Sequence, residues 1–535
     1  MTAQFRVLVA DQIALDGLAP LRDDSRFELI VKPGLKGAEL RDAIAAADAV
    51  LVRSATQITR ESLARANGLK VIGRAGVGVD TIDVDAATER GIAVLTAPAG
   101  NTISAAELTF ALTLALARRV SAADRSMKAG QWDRKSFSGT ELYGKTLGLV
   151  GAGRIGGEVA KRARAFGMQV VAFDPFLIAE RALTLGIERA ELDEVLRRAD
   201  VVSLHVPLTD ATAGLLGDRE LGLMKPTAVI VNAARGGVVR EDALVRALTD
   251  KRIAGAALDV FEQEPLPADH PLRLLENVVL TPHLGASTAE AQQNVAVEIA
   301  EAVRAALVDG DLSRAVNAPG LGGDEMRRIR PLLALSERLG VLTTALAEGG
   351  MSRIEVRYAG SAAAGALRLL TATALAGALS RIVGEGAVNT VNALHLASAH
   401  GIRVDQIQLD PRDAFAEQIE VRAATDTRET RVAGALLGDA HPRIVRIDDF
   451  HVDVVPEGTL LVLRNRDVPG VIGRVGSVLG NAGINIAGYH QSRLYARGEA
   501  LAVVNVDTRV DAAIVDALGA LPEVHSVRQV QLNPR

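Results

Sequence analysis

The chain has 535 residues, of which 48% are hydrophobic and 23% charged, with a formal net charge of -5 and no cysteine. One hydrophobic core cannot serve a chain of this length, so we expect three or four domains of a globular protein. The acidic balance argues against a nucleic-acid surface, and the lack of cysteine excludes disulfides and thiolate chemistry. We see neither a signal-peptide pattern nor a membrane-length apolar stretch, so a cytoplasmic protein is expected, and no metal site is predicted.

The first hundred residues alternate short apolar runs with stretches of helical periodicity, which favours a parallel sheet with helices on both faces. The predicted strands cover residues 5–10, 28–31, 49–52, 70–76 and 93–98. Asn101 and Thr102 are predicted to cap a helix that runs to about Arg119, because such side chains satisfy free amides at a helix start. A second helix is predicted around 121–130.

Six further apolar runs between residues 145 and 283 are mostly bounded by Gly, Pro or Asp. Six such strands make one doubly wound domain. A helix rich in Ala, Glu and Val is predicted from Ala289 to about Val308, and the Gly-rich stretch 319–325 is predicted to be a linker.

The region 326–455 begins with helical patterns and contains a strand candidate at 353–360, but its composition indicates no particular chemistry. The last region, 459–535, has the order strand, helix, strand, strand, helix, strand. This order is typical of the split βαβ arrangement of a ferredoxin-like domain.

A glycine-rich turn at 151–156 lies between an apolar strand and a helix, and Asp174 ends the next strand. Gly151 permits the tight turn, Gly153 lets a pyrophosphate approach the backbone, and Gly156 allows close packing of the helix on the sheet. Amides at the helix start attract the phosphates. Asp174 would bind ribose hydroxyls and repel a 2′-phosphate, so NAD is predicted rather than NADP.

Three polar residues follow later strands of the same unit, where ligands of open α/β sheets bind. His283 is suited to take or give the hydroxyl proton when a hydride leaves or joins an alcohol carbon. Glu264 would orient the imidazole and favour its protonated form. Arg235 offers a planar fork to a carboxylate and would polarise the reacting oxygen, so the three together favour catalysis.

Segments 52–56, 73–83, 232–237, 257–265 and 281–288 resemble, in order, the signatures of the D-2-hydroxy acid dehydrogenase family, and this resemblance covers roughly residues 5–318. It implies an α/β fold with two doubly wound parallel-sheet domains, a lid and a Rossmann-like NAD-binding domain that close over the substrate. It assigns proton transfer and substrate orientation to Arg235, Glu264 and His283. It implies cofactor contacts from Gly151, Gly153, Arg154, Ile155, Gly156, Asp174, Pro207, Ala233, Ala234, Arg235, Asp259, His283, Gly285 and Ala286.

A substrate with a distal phosphate would need cationic partners, and Arg53 and Arg74 stand at the ends of predicted lid strands. From charge alone these arginines are equally well explained as ordinary surface residues. The whole chain resembles the long branch of the family, which oxidises D-3-phosphoglycerate to 3-phosphohydroxypyruvate at the start of L-serine synthesis. That resemblance implies substrate contacts from Arg53, Ser54, Arg74, Val77, Gly78, Asn101 and, across a dimer, Arg134. Thr81 stands where many relatives carry Asn, which touches no catalytic residue.

The end of the chain resembles an ACT domain, an amino-acid-sensing module, through Asp467-Val468-Pro469-Gly470 and the segment 481–486. Asp467, Asn481 and Asn485 are the predicted contacts of an L-serine effector, and a purely dimerising role for the module stays open. The predicted α+β intervening domain resembles a regulatory domain linked in the family to anionic ligands. The predicted domain ranges are 1–98 with 289–317 (lid), 99–288 (NAD-binding), 318–456 (intervening) and 457–535 (ACT).

Other readings remain. One is a glyoxylate, hydroxypyruvate or phosphoerythronate enzyme of the same family, which the middle and ACT regions argue against. Another is an NAD-sensing binding protein without turnover, which the intact Arg235, Glu264 and His283 argue against. Reduction of 2-oxoglutarate as a side activity is left open, and a homodimer or homotetramer is expected.

Overall fold

The computed structural model describes residues 4–360, 364–384, 386–410, 417–438 and 441–532. Within these residues the strands form four sheets of five, seven, six and four strands. The predicted fold class is confirmed: two parallel α/β sheets come first, a mixed sheet follows, and an antiparallel ferredoxin-like sheet ends the chain.

The first sheet is parallel, with the strand order β2-β1-β3-β4-β5. Its central strand β3 is a run of Ala, Val and Leu that is buried on both faces, as helices on either side of a parallel sheet require. Its elements are β1 (Phe5–Val9), α1 (Ala19–Arg22), β2 (Phe27–Val31), α2 (Gly37–Ala45), β3 (Ala49–Val52), β4 (Val71–Arg74), α3 (Val84–Glu89) and β5 (Ala93–Thr96). We call this unit the lid.

The second sheet is also parallel, with the order β12-β11-β10-β9-β6-β7-β8. It has seven strands where the sequence predicted six, because a two-residue strand at Glu188–Arg189 adds to its edge. Its elements are α4 (Thr102–Ala117), α5 (Val120–Lys128), β6 (Thr146–Val150), α6 (Arg154–Ala165), β7 (Gln169–Phe173), α7 (Ala179–Leu185), β8 (Glu188–Arg189), α8 (Leu192–Arg198), β9 (Val201–Leu204), α9 (Asp218–Leu223), β10 (Val229–Asn232), α10 (Glu241–Thr249), β11 (Gly255–Leu258) and β12 (Val278–Leu280).

Helix α11 (Ala289–Asp309) returns the chain to the lid, where Ile299, Ala300 and Val303 pack in one core with the buried side chains of β1, β3 and β5. The Glu298 carboxylate of this helix accepts the N–H groups of Ala99 and Gly100 at 3.0 and 2.8 Å. These bonds therefore join the two chain segments that connect the lid to the second sheet.

The remaining chain forms a six-stranded mixed sheet and the four-stranded sheet, whose order β20-β21-β19-β22 is that of a ferredoxin-like domain. The predicted linker 319–325 is shorter than expected, because α12 already begins at Gly323. The elements are α12 (Gly323–Leu346), β13 (Met351–Ala359), α13 (Ala364–Val383), α14 (Ala393–Ala399), β14 (Arg403–Leu409), β15 (Gln418–Thr425), β16 (Glu429–Leu437), β17 (His441–Ile447), β18 (Phe450–Val454), β19 (Gly458–Arg466), α15 (Val471–Asn481), β20 (Ile486–Arg493), β21 (Glu499–Val506), α16 (Ala512–Gly519) and β22 (Val524–Leu532).

One face of the ferredoxin-like sheet is buried against the mixed-sheet region. Leu460, Val462 and Val503 on that face share a core with Leu342 and Leu346 of α12. The mixed-sheet region in turn contacts the lid, since Val391 is buried among lid residues and Asn389 Nδ2 donates to the Gly91 carbonyl at 2.8 Å.

Helix α13 contains the segment Gly365–Val383, which by length and composition alone could span a membrane. Of the apolar window in that segment, 67% is buried inside the structure, as in a core helix.

Candidate active site

The glycine-rich turn lies at the carboxyl end of β6, at the point where the order of the second sheet reverses between β6 and β9. Gly151 has φ 94, a left-handed conformation that favours glycine. A Cβ atom at Gly156 would collide with the Gly151 carbonyl oxygen, whereas one at Gly153 would point into open space. The turn therefore packs closely at Gly156 and leaves open space at Gly153, as a pyrophosphate at the start of α6 requires.

Asp174 follows β7 and is half-buried beside this turn. Its two carboxylate oxygens accept the N–H groups of Ala152 and Phe176, each at 2.8 Å. The carboxylate is thus fixed next to the glycine turn, where the ribose of a dinucleotide would lie. The residues present fit NAD.

His283 and Glu264, which follow different strands, form a close pair. His283 Nδ1 lies 2.8 Å from Glu264 Oε2, and Glu264 Oε1 accepts the Phe261 N–H at 3.0 Å. A cavity of about 570 Å³ with mainly apolar walls borders both side chains. The described residues that line this cavity include neither Arg235 nor any lid residue, so it is distinct from the cleft that Arg235 faces.

The electrostatics of this pair favour a proton on the imidazole. The hydrogen bond that His283 donates to Glu264 raises the pKa of His283, although burial and Arg235 act in the opposite direction. Burial acts to raise the pKa of Glu264, but the hydrogen bonds from His283 and Phe261 outweigh it, and this pKa lies below its usual value. Glu264 is therefore the anionic partner and His283 the group that changes protonation state near neutral pH.

The backbone at His283 is strained, because this residue has φ 55. A non-glycine residue in the left-handed region costs about 1–3 kcal/mol, and such strain is concentrated at functional sites. The buried residue Asp259 holds this conformation. Its carbonyl accepts the His283 N–H at 2.9 Å, and its carboxylate accepts the N–H groups of Leu284 and Gly285 and the Thr281 hydroxyl.

Arg235 is positioned from both sides of the cleft. In the second sheet, Asn232 shapes its turn by donating to the Arg235 carbonyl at 2.9 Å. From the lid, Asp80 Oδ2 lies 3.3 Å from Arg235 Nε. Gly78 permits this approach, because a Cβ atom there would collide with the guanidinium.

Arg53 follows β3, Arg74 is the last residue of the adjacent lid strand β4, and the two form a cationic cluster with Arg235. Burial, together with repulsion by Arg235 and Arg53, lowers the pKa of Arg74 to about 10. Its Nε atom is buried and has no hydrogen-bond partner among the described residues. The cluster therefore has an excess of positive charge and an unused donor, which an anion would satisfy.

Asn101 occupies the cap position of α4, but its side chain makes no capping hydrogen bond, so that prediction is wrong. Its backbone has ψ 7 instead of the extended value with which a cap side chain reaches back to the first amides. Asn101 Oδ1 and Thr102 Oγ1 are buried and unpaired within the described part of the chain. The helix ends at Ala117, two residues before the predicted Arg119.

Other predicted residues differ in exposure. Val77 and Ser54 are exposed on the lid, as Pro207 is after β9, and Gly285 is buried beside Asp259. Arg134 is exposed, and it has no hydrogen bond or ion pair to any other described residue. The half-buried predicted residues are Ile155, Ala233, Ala234 and Ala286, whereas Arg154 is exposed.

The predicted effector residues do not all face one another. Asp467 Oδ2 accepts from Arg493 Nη1 at 3.0 Å and from the Arg497 N–H at 3.2 Å. Asn485 Nδ2 donates to Asp507 at 2.7 Å, whereas Asn481 is the last residue of α15. Hydrogen bonding to Arg493 lowers the pKa of Asp467. Asp467 is thus a fixed carboxylate beside the start of α15.

Sequence reasoning missed Asp11 and Asp80, two lid carboxylates at the cleft, and Gln292, which lines a narrow crevice with Arg53 and Ala286. The signal for Asp11 was available. It stands two residues after β1, as Arg53 stands directly after β3, and residues at these strand ends converge in a parallel sheet.

Family models match three parts of the chain. They are the D-isomer specific 2-hydroxyacid dehydrogenase, NAD binding domain at 110–285, the D-3-phosphoglycerate dehydrogenase intervening domain at 328–448 and the ACT domain at 459–523.

Relatives match over almost the whole length. The D-3-phosphoglycerate dehydrogenase of Methanocaldococcus jannaschii is 41% identical over 98% of this chain and 100% of its own. That of Bacillus subtilis is 40% identical over 99% of this chain and 100% of its own. A solved structure of a protein from Thermus thermophilus is 41% identical with a TM-score of 0.53, and the match covers 58% of this chain and 99% of that one. These matches confirm the resemblance that the sequence motifs indicate.

Proposed function

The chain belongs to the family of the D-3-phosphoglycerate dehydrogenases, and from that premise we propose that it oxidises D-3-phosphoglycerate to 3-phosphohydroxypyruvate with NAD, at the start of L-serine synthesis. We also propose that it reduces 2-oxoglutarate as a side activity and that it is located in the cytoplasm.

One observation carries the choice of substrate. Arg53, Arg74 and Arg235 lie in one cleft, where burial and mutual repulsion lower the pKa of Arg74 to about 10. Three guanidinium groups facing two carboxylates, Asp11 and Asp80, leave a net positive site. A substrate with a carboxylate at one end and a phosphate at the other supplies the missing negative charge.

The roles that we propose for the chain's own residues are supported by the geometry. Arg235 binds the substrate carboxylate and polarises the reacting oxygen, and Arg53 and Arg74 bind the phosphate. His283 takes the proton of the alcohol at Nε2, while Glu264 at Nδ1 stabilises the imidazolium that forms. Ser54, Val77, Gly78 and Asn101 line the substrate side of the cleft in this proposal.

The dinucleotide would be held by the turn 151–156, Asp174 and the loops after β9 to β12. NAD, when bound, supplies the acceptor for the hydride from the alcohol carbon. Asp259 keeps the loop 281–285 in place through four hydrogen bonds.

The test is a substrate panel. The purified enzyme is given NAD with D-3-phosphoglycerate, D-glycerate, glycolate or D-2-hydroxyglutarate, with hydrazine present to trap the keto acid, and NADH formation is followed. The highest kcat/KM is expected for D-3-phosphoglycerate. A preference for D-glycerate or glycolate would indicate a related reductase of the same family, and no turnover of any member would indicate an NAD-binding protein.

We infer further that the ACT domain, found by family model at 459–523, binds L-serine and slows the enzyme. Asp467 offers a carboxylate to an α-ammonium group, and the start of α15 offers free amides to a carboxylate. Asn481 and Asn485 are the proposed amide partners. Titration of L-serine against the initial rate tests this, and no inhibition up to millimolar serine would overturn it.

A homodimer or homotetramer is part of the proposal. Helix α5 buries none of its residues in the single chain, and Val120 and Met127 on it are 53% and 52% exposed. Trp132, which follows, is 79% exposed. A second copy that covers helix α5 and the segment with Trp132 would bury these side chains and bring Arg134 near the cleft of the neighbouring copy. Light scattering after size-exclusion chromatography gives the mass, and a monomer at all concentrations would contradict the proposal.

A further inference from the structure

Asp11 is a buried carboxylate at the substrate cleft that neither catalysis nor cofactor binding uses. Only 4% of the residue is exposed, and it forms no ion pair within the described part of the chain. Its Oδ2 atom accepts the backbone N–H groups of Arg53 at 2.5 Å and of Thr56 at 3.2 Å. Its Oδ1 atom accepts the Thr56 hydroxyl at 2.6 Å. All three bonds therefore end on the short segment 53–56.

The place of this segment in the sheet gives the bonds a functional meaning. In the order β2-β1-β3-β4-β5 the connections leave β1 and β3 in opposite directions, so a crevice opens between their carboxyl ends. Ligands of open parallel sheets bind in such crevices. Asp11 follows β1 and Arg53 follows β3, so the carboxylate bridges the crevice from one side to the other.

Burying a carboxylate without a cation is costly, so hydrogen bonds must satisfy it. The three bonds do so, and they hold the main chain at the base of the Arg53 side chain. The Arg53 side chain lines a crevice with Ala75, Ala286 and Gln292, and its Nη1 atom donates to the Gln12 carbonyl at 3.4 Å. Burial and the charges of Arg235 and Arg53 lower the pKa of Arg74. The negative charge of Asp11 acts on the same pKa in the opposite direction and raises it.

We propose that Asp11 is a positioning residue for recognition of the substrate's phosphate: its carboxylate fixes the segment 53–56 and so presents the Arg53 guanidinium beside Arg74. This inference rests on the proposed function, because it assumes that the distal group of the substrate is a phosphate. Asp11 itself touches no substrate. Its effect is selective for phosphorylated substrates, which a purely structural carboxylate would not be.

The same sheet offers a matched control. Asp48 stands just before β3, at the opposite end of the strands from the cleft. Its carboxylate accepts the Arg6 N–H at 2.9 Å and pairs with Lys70 Nζ at 3.1 Å. Asp48→Ala therefore removes a comparable set of lid contacts without touching the segment 53–56.

The experiment compares Asp11→Ala, Asp11→Asn and Asp48→Ala in the full-length enzyme. Each is assayed for KM of D-3-phosphoglycerate, KM of NAD and kcat/KM of non-phosphorylated D-glycerate. For Asp11→Ala we expect KM of D-3-phosphoglycerate to rise about tenfold, because one charge-assisted contact to the phosphate is lost. KM of NAD and kcat/KM of D-glycerate should stay within about twofold in the same experiment.

Asp11→Asn keeps one acceptor oxygen for the amides and can donate to the Thr56 hydroxyl, so it retains the shape and removes the charge. Its KM for D-3-phosphoglycerate should lie between wild type and Asp11→Ala. It also keeps the test possible if Asp11→Ala does not fold. Asp48→Ala should leave the preference for D-3-phosphoglycerate over D-glycerate, measured as the ratio of their kcat/KM values, unchanged, even if its Tm falls.

Equal losses for both substrates in the Asp11 variants, or a lowered Tm with unchanged KM, would overturn the inference. The proposed function fails in a different way. In that case the wild-type enzyme itself would show no preference for D-3-phosphoglycerate over D-glycerate.

Discussion

Glu264 Oε2 lies 2.8 Å from His283 Nδ1, although the two residues follow different strands and are 19 positions apart. The hydrogen bond raises the pKa of His283 above its ordinary value, against the effect of burial. Oxidation needs the neutral imidazole, so log kcat/KM should rise with pH until His283 is deprotonated. That rise should be centred above pH ~6.5, the ordinary value for histidine.

Glu264→Gln should move this rise to lower pH, because the charge that favours the imidazolium is gone. It should also lower kcat by about a hundredfold, since the base loses its orientation. A pH profile of both enzymes checks this. An unchanged profile would mean that another group titrates.

His283→Ala should lower kcat by about 10²- to 10⁴-fold while NAD still binds, because the proton acceptor is lost and the glycine turn is intact. Stopped assays give the rate, and calorimetry gives the NAD affinity. The control is His270→Ala. In the unchanged protein His270 Nε2 lies 3.1 Å from Glu241 Oε2, so this histidine forms a similar pair with a carboxylate. Unchanged turnover in His283→Ala would remove that residue from proton transfer.

Arg53→Ala and Arg74→Ala should each raise KM of D-3-phosphoglycerate by about tenfold or more, with a much smaller effect on KM of NAD. Arg74→Lys should restore part of the affinity, because it keeps the charge but not the planar fork. Arg65→Ala serves as control, since that side chain is 70% exposed and pairs only loosely with Asp42. Equal increases in KM of D-3-phosphoglycerate and KM of NAD would indicate loss of the lid fold.

Asp174→Ala should raise KM of NAD and lower KM of NADP, because the carboxylate that repels a 2′-phosphate is removed. The two Asp174 hydrogen bonds to Ala152 and Phe176 are also lost, so a fall in Tm is expected in parallel. The NADP-to-NAD ratio of kcat/KM is the measurement. Asp218→Ala, which breaks a surface pair with Arg246, should leave this ratio unchanged.

Asp467→Ala should raise the serine concentration for half-maximal inhibition by about tenfold, because the α-ammonium loses its charged partner. The ratio of rates with and without serine, measured over a serine series, checks this. Asp511→Ala is a control in the same domain, since the Asp511 side chain makes no capping hydrogen bond to α16. An identical serine response in both variants would place the effector elsewhere.

Much of the fold was readable from the sequence. The strands of the lid and of the second sheet lie where the apolar runs stand, because a parallel strand buried on both faces must be apolar throughout. The order of elements in the last region was enough to predict the ferredoxin-like sheet. The edge strand Glu188–Arg189 escaped, since two exposed charged residues carry no apolar signal.

The sequence by itself determined the glycine turn, its acidic partner and the identity of Arg235, Glu264 and His283 as candidates, because each depends on residues close together in the chain. Only the tertiary structure decided what they meet. Asp80 reaches Arg235 across the cleft, Asp11 holds the amide of Arg53 from 42 positions away, and Asn101 leaves its helix uncapped. These contacts follow from the order in which strands pair and from the backbone angle at one residue, and neither is written in any short stretch of sequence.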